Sequence, residues 1–202
     1  MRTILIALLI TLATQVGAAE FFVLPNTKTL LMMGETEPAD GKILSEYIEK
    51  EGIDALILKG PGGDLDAGYF VAYLVLEKEL DVTVPSNTEC ASACSLIFVA
   101  GKKRMMEEGA RLGFHLPFLD LSERGAPDAF CQALTRDVIT YVGKCLQKTY
   151  QLGLRDIRKL QKLLIRDGID EQVLELVINT PSNTMTWIDV AGAKRLGLIN
   201  NN

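Results

Sequence analysis

The chain has few of the residues that metal sites and polyanion-binding surfaces require. It contains one histidine, His115, and no pair of cysteines in C-x-x-C spacing, so we expect no metal site. Its 21 basic residues are outnumbered by 26 acidic ones, and no long run of lysine or arginine occurs. Such a chain has no electrostatic footprint for nucleic acid or anionic lipid. We therefore expect no nucleic-acid partner. We also expect no cofactor.

Long hydrophobic runs are absent except at the N-terminus. The first twenty residues combine a basic start, an apolar run from Ile4 to Leu12 and small residues before Glu20. This is the layout of a secretory signal peptide, and the apolar run is short for a segment that spans a bilayer. We predict a signal peptide at 1–19 and a single domain at 20–202, exported to the periplasm or secreted. An uncleaved membrane anchor is the alternative.

Export changes how the four cysteines are interpreted, because an oxidising compartment permits disulfides. Cys90 and Cys94 lie four positions apart and would pair only if the chain turns between them. Cys131 and Cys145 lie 14 positions apart in a segment with helical periodicity. On one unbroken helix that is about 21 Å of rise, beyond disulfide reach. Either the helix breaks near Gly143, or these two cysteines do not bond each other.

The apolar pattern along the mature chain alternates between strands and helices. Short connections in this order predict a layered α/β unit with a mainly parallel sheet. From residue 128 onward the pattern is mainly helical, with a final helix at WIDVAGAKRLG and a strand-like LIN. The predicted elements are strands near 21–35, a helix at 39–52, a strand at 53–60, a helix at 65–80, a strand at 81–86 and a helix at 91–101.

A glycine-rich corner follows the predicted strand at 53–60. GPGG, 60–63, comes just before a predicted helix, and glycines at a helix start present backbone N–H groups at close range. The corner lacks the Lys and Ser/Thr of a phosphate-binding P-loop. A tight strand-to-helix turn also requires glycine, so the corner is either an anion-binding element or a turn.

Ser92 stands in ECASACSLIFVAG, between small residues and at the start of an apolar helical run. A serine in that position is either a helix N-cap or a nucleophile at a strand-to-helix corner. A nucleophilic serine needs a base, and the chain offers His115 in RLGFHLPF. The alternative for His115 is a hydrogen-bonded core residue.

The run from residue 29 to 117 resembles the proteolytic subunit of Clp-type proteases and the wider Clp/crotonase superfamily. The matching motifs are GPGG at 60–63, CAS at 90–92, AGKKR at 100–104 and HLP at 115–117. They occur in the family's order. From Gly63 to Ser92 is 29 positions, which is similar to the family's spacing, and from Ser92 to His115 is 23, which is slightly shorter than in the family.

The resemblance implies a Clp/crotonase-like fold and a serine peptidase mechanism on a peptide or protein substrate. Ser92 would attack the scissile carbonyl, and His115 would accept and return its proton. The backbone N–H groups of Gly63 and Ala93 would form the oxyanion hole.

The chain departs from the family at the third catalytic residue. The family's aspartate corresponds to a position near Pro181, where no acidic residue occurs. Asn179, Thr180 or Asn183 would then orient His115 by a neutral hydrogen bond, which stabilises imidazolium less than a carboxylate does. Asp189 is predicted to cap the last helix instead. We expect intrinsic activity that is low or absent.

The resemblance also bears on partners and on alternative functions. Relatives form rings, so a homo-oligomer is expected, but an exported chain would not meet a cytosolic Clp ATPase. Exported relatives use a Ser-Lys dyad, for which Lys144 or Lys148 is the candidate, although both fit a solvated helix face. Two further function classes remain: an inactive binding or assembly protein of the same fold, and a thioester reaction, which is disfavoured outside the cytoplasm.

Overall fold

The computed structural model describes residues 19–117, 138–165 and 168–200, with side chains described throughout except at 138–149. The predicted signal peptide therefore lies outside the described residues apart from Ala19. The elements are β1 (Glu20–Val23), β2 (Thr29–Thr36), α1 (Asp40–Glu51), β3 (Ala55–Gly63), α2 (Leu65–Glu77), β4 (Asp81–Val84), β5 (Glu89–Ala91), α3 (Ala93–Val99), β6 (Arg104–Met106), β7 (Arg111–Phe114), α4 (Val138–Leu164), α5 (Gln172–Asn179), β8 (Thr186–Asp189) and α6 (Val190–Arg195).

The sheet is mainly parallel, as predicted. Its principal path runs β1-β2-β3-β5-β7-β8, with β4 beside β3 and β6 beside β4. Among the strands of the described residues, only the β1–β2 and β7–β8 pairs are antiparallel. Parallel neighbours require crossover connections, which α1, α2 and α3 provide. The prediction of a layered α/β fold is thus confirmed.

The structure corrects several predicted elements. Two three-residue strands, β5 and β6, were not predicted, because so short a run has no measurable period. Residues 187–189 were assigned to the last helix but belong to β8, whose pairing with β7 overrides the helical pattern. The strand-like LIN forms no strand. Asp189 caps α6 as predicted, since its Oδ1 accepts a hydrogen bond of 2.7 Å from the Gly192 amide.

Helix α4 continues through Gly143, where a break was considered. The Cys131–Cys145 question is not answered by this, because Cys131 and the side chain of Cys145 lie outside the described residues. The side chains of Lys144 and Lys148, the candidates for a dyad base, lie outside them as well. In the part of the chain that is described, no helix is long and apolar enough to cross a membrane.

Arg104 joins the C-terminal segment to the sheet. The side chain is 1% exposed, and its guanidinium donates hydrogen bonds to the carbonyl oxygens of Leu198 (2.9 Å), Gly101 (3.1 Å) and Gly197 (3.2 Å). Buried charge is costly unless hydrogen bonds replace its hydration, and these carbonyls do so. The planar guanidinium carries five N–H donors in a fixed arrangement and can reach several acceptors at once, whereas a lysine ammonium is a compact group with three donors.

Arg104→Lys should lower the free energy of unfolding by about 2–4 kcal/mol, because the charge stays buried while hydrogen bonds to it are lost. Urea unfolding followed by circular dichroism measures the change. The matched control is Lys103→Arg, at a side chain that is 65% exposed, where we expect a change within about 0.5 kcal/mol. Equal stability of both variants would contradict this role for Arg104.

Candidate active site

Sheet register brings the glycine corner, Ser92 and His115 to one edge. In parallel strands the carboxyl ends meet at the same edge, and Gly60 pairs with Cys90 while Ala91 pairs with Gly113. Ser92 is one residue beyond Ala91, and His115 is two residues beyond Gly113. The three motifs, separate in sequence, therefore emerge side by side.

Ser92 forms the corner between β5 and α3 in a conformation that L-residues rarely adopt. Its φ is 54° and its ψ is −122°, and such a non-glycine residue costs about 1–3 kcal/mol. Ser92 holds the N-cap position, yet its side chain accepts no hydrogen bond from the helix. Its Oγ is instead directed to His115. This geometry differs from that of a capping serine, because the hydroxyl contacts the histidine and not the helix amides.

Ser92 and His115 are hydrogen-bonded. The distance from Ser92 Oγ to His115 Nε2 is 2.8 Å, and His115 Nδ1 lies 2.8 Å from the carbonyl oxygen of Leu116. A carbonyl can only accept, so Nδ1 must carry the proton. In the neutral ring Nε2 is then the acceptor, and Ser92 donates to it. This is the tautomer that a general base requires.

The His115 ring is oriented by a backbone carbonyl oxygen, which the sequence analysis did not predict. Leu116 supplies it through its carbonyl, and the Leu116 amide donates to the Thr180 carbonyl oxygen at 2.8 Å. Of the three proposed orienting residues, only Thr180 is thus connected to the site, through its backbone. Asn179 and Asn183 are exposed, and among the described residues neither bonds the imidazole. No signal in the sequence points to a backbone carbonyl.

Thr180 is itself held in place by its hydroxyl. Thr180 Oγ1 donates to the Leu176 carbonyl oxygen at 2.8 Å and lies 2.8 Å from Thr186 Oγ1. The side chain is 7% exposed, so these bonds are shielded from water. Helix α5 and strand β8 thereby support the segment that carries His115.

Gly62 packs directly against the serine corner. Its φ is 100°, and a Cβ there would lie 2.6 Å from the Ser92 Cβ and 2.7 Å from the Ala91 carbonyl oxygen. Only glycine fits both the space and the backbone conformation. Gly63, the predicted oxyanion donor, pairs with Thr36 of β2. Its donor role stays a prediction.

Ala93, the other predicted donor, begins α3, and its amide bonds no acceptor within the described residues. A Cβ on Gly62 would lie 2.9 Å from this amide nitrogen, so the amide faces the glycine corner. The first amides of a helix have no partner within the helix and favour negative charge. This donor is available to an oxyanion.

A disulfide and a buried hydroxyl brace the corner. Cys90 and Cys94, left open by the sequence, are bonded to each other and enclose Ser92. In the chain-entropy description, closing a ring of five residues contributes about 2 kcal/mol, comparable to the strain at Ser92. Ser95 Oγ lies 2.7 Å from the Cys90 carbonyl oxygen and 2.9 Å from that of Gly113. The sequence analysis did not predict this role for Ser95, although a serine in the first turn of an apolar helix indicates a buried hydrogen bond.

A small apolar cavity of about 20 Å³ adjoins the Ser92–His115 pair. Helix α4 supplies one wall through Leu160 and is docked on α2, where Tyr69 Oη donates to the Asp156 carbonyl oxygen at 2.9 Å. Burial raises the pKa of Tyr69, so the phenol stays protonated and keeps this bond. The cavity is lined by Leu65, Ser92, Leu96, Phe114, His115, Pro117, Leu160 and Val177.

Comparisons with known proteins support the fold. No family model and no curated protein sequence matches the chain. Solved structures do match, among them a serine-to-alanine mutant of the 1510-N membrane-bound stomatin-specific protease (TM-score 0.56, 17% identity, covering 84% of this chain and 75% of that one). A lysine-to-alanine mutant of the same protease, in complex with a substrate peptide, gives a TM-score of 0.55 at 18% identity, covering 84% and 71%.

An asparagine-to-aspartate mutant of ClpP1 from Listeria monocytogenes gives a TM-score of 0.57 at 18% identity, covering 86% of this chain and 89% of that one. At these identities the likeness shows the fold. The chain has the Clp-type protease fold that the sequence motifs predicted.

Gly62→Ala should lower the free energy of unfolding by about 2–4 kcal/mol, because a methyl group there overlaps the serine corner and φ is positive. Urea unfolding is the measurement. Gly153→Ala in α4 is the control, since a Cβ there has nothing within 4 Å, and we expect up to about 1 kcal/mol of stabilisation. An unchanged stability for Gly62→Ala would contradict the packing described here.

Proposed function

We propose that the protein is an exported serine peptidase-like hydrolase that cleaves peptide or other acyl bonds through Ser92 and His115. The observation that carries the proposal is the 2.8 Å hydrogen bond between Ser92 Oγ and His115 Nε2. The other ring nitrogen, Nδ1, is hydrogen-bonded to the Leu116 carbonyl oxygen. A strained serine corner and an available helix-start amide support it. Solved serine proteases of the same fold, one with a substrate peptide, add to that support.

The proposed steps follow from these positions. As Ser92 Oγ bonds the substrate carbonyl carbon, its proton passes to His115 Nε2, and the carbonyl oxygen becomes an oxyanion. The amides of Gly63 and Ala93 receive that oxyanion. His115 then returns the proton to the leaving amine as the C–N bond breaks, which leaves an acyl-Ser92. Water, deprotonated by His115, hydrolyses this ester.

The Leu116 carbonyl orients the His115 ring without the negative charge that a carboxylate would bring to the site. It selects the correct tautomer but supplies no negative charge to stabilise imidazolium. The proposed enzyme is therefore slower than one with an Asp-His-Ser triad. Its cellular place is proposed from the predicted signal peptide together with the Cys90–Cys94 disulfide, which fits an oxidising compartment. Assembly into a homo-oligomer stays a prediction.

A fluorophosphonate probe tests the proposal, because it reacts with activated serines. The wild type should be labelled, Ser92→Ala should not, and His115→Ala should react at least about 100-fold more slowly, since a general base contributes that much. Ser86→Ala, at an exposed serine elsewhere, is the control and should be labelled at the wild-type rate. An unlabelled, folded wild type would contradict the proposal and favour an inactive binding protein of this fold.

The cavity beside Ser92 limits the acyl group that the site accepts. A volume of about 20 Å³ is close to the space of one water molecule, and apolar side chains form most of its wall. A methyl group is close to this size, whereas a leucine or phenylalanine side chain is several times larger. We propose acyl donors with a small apolar side chain, such as alanine, before the scissile bond.

Alanyl esters should exceed leucyl esters in kcat/KM by about 10–200-fold, the range expected of hydrophobic pockets. Val177→Ala, at the cavity wall, should reduce that ratio. Val173→Ala is the control, because Val173 is also buried on α5 but does not line the cavity, and the ratio should not change. Equal rates on both esters in the wild type would refute this preference.

A further inference from the structure

The Cys90–Cys94 disulfide closes a covalent ring whose middle residue is Ser92. Cys90 is in β5 and Cys94 is in the first turn of α3, so the bond spans the strand-to-helix corner. Both cysteines are buried, at 0% and 5% exposure. Their Cα atoms are 5.2 Å apart. Among the described residues, no other covalent link crosses this corner apart from the chain itself.

The two ends of the ring are anchored to different parts of the fold. On the strand side, Cys90 pairs with Gly60 and with Leu112 in the sheet. On the helix side, α3 packs against α2 so closely that a Cβ on Gly68 would lie 2.8 Å from the Ala93 Cβ. The disulfide therefore sets the separation between β5 and α3 at the point where Ser92 joins them.

This separation bears on the backbone conformation of Ser92. Rotation of an L-residue from φ 54° to a negative φ lowers its conformational free energy. That rotation would move the first turn of α3 relative to β5. The ring opposes the movement. Two noncovalent contacts also act there, Ser92 N to the Gly113 carbonyl oxygen at 2.9 Å and the Ser95 hydroxyl. Both contacts join this corner to the Gly113 carbonyl oxygen of β7, and neither depends on the bond between Cys90 and Cys94.

The position of Ser92 Oγ follows from the same backbone angles. A general base must lie about 2.6–3.2 Å from the proton donor, and the present distance to His115 is 2.8 Å. A misplacement of about 1 Å costs about 100-fold in rate. A backbone relaxation that moves Ser92 Oγ by about this much would uncouple the pair.

We propose that the Cys90–Cys94 disulfide positions Ser92, so that the serine is fully reactive only while this disulfide is formed. The inference rests on the proposed function of Ser92 as a nucleophile. It adds a condition to that function: Ser92 reacts slowly while Cys90 and Cys94 are thiols and becomes fully competent after their oxidation. The disulfide does not contact the reacting atoms, so Cys90 and Cys94 are positioning residues.

Reduction of the wild type is the first test. Dithiothreitol transfers two electrons and two protons to the bond, giving two thiols and its own cyclic disulfide. The fluorophosphonate labelling rate should fall at least about tenfold per folded molecule. Circular dichroism gives the folded fraction, and alkylation followed by mass spectrometry counts the thiols. Reoxidation with diamide should restore the rate.

Paired variants separate this disulfide from the other cysteines. Cys90→Ala/Cys94→Ala should label slowly with or without dithiothreitol. The matched control, Cys131→Ala/Cys145→Ala, should label at the wild-type rate and keep its sensitivity to the reductant.

The outcomes distinguish the inference from the proposed function. If the fully reduced wild type labels at the oxidised rate, or if labelling falls only in proportion to the unfolded fraction, the positioning role is refuted and Ser92 remains a nucleophile. If the oxidised wild type is not labelled at all, the proposed function itself is refuted. A rate that falls in folded, reduced protein and returns on oxidation supports the inference.

Discussion

Ser92 leaves β5 with a φ of 54°, and the residues around it act together to maintain this unfavourable conformation. Gly62 leaves room for it, the Gly113 carbonyl accepts its amide, and the disulfide closes the ring around it. The conformation has a chemical consequence. It withdraws the hydroxyl from the helix N-terminus, where most serines would cap, and presents it to His115. Strain of this kind is kept only where the surrounding structure over-determines it.

The His115 ring is oriented without a carboxylate among the described residues. Leu116 is adjacent to His115 in sequence, so its carbonyl reaches Nδ1 at little conformational cost, and Thr180 fixes the peptide unit that carries it. The dipole of the Leu116 carbonyl takes the place of the negative charge of a carboxylate. The tautomer is therefore correct, while imidazolium gains less stabilisation than beside an aspartate. In an apolar cavity of about 20 Å³, the lining itself offers no charge to compensate for this.

Much of the fold and part of the site geometry could be predicted from the sequence. The alternation of apolar periods indicated a mainly parallel sheet, and motif spacing indicated which residues would meet at its edge. The errors have physical causes. Strands β5 and β6 are too short to show a period, and residues 187–189 adopt a strand because β7 offers them hydrogen-bond partners. The cavity size depends on how α4 and α5 pack, which no local pattern encodes.

What the sequence determined by itself is local: glycine where φ must be positive, a small-residue corner for Ser92, a capping aspartate at 189, and the order of strands and helices. These follow from the preferences of single residues and their near neighbours. Only the tertiary structure decided that Cys90 reaches Cys94, that Ser95 joins two strands, and that Leu116 rather than an asparagine orients His115. Each depends on distances set by sheet register and helix packing, which residue identity does not specify.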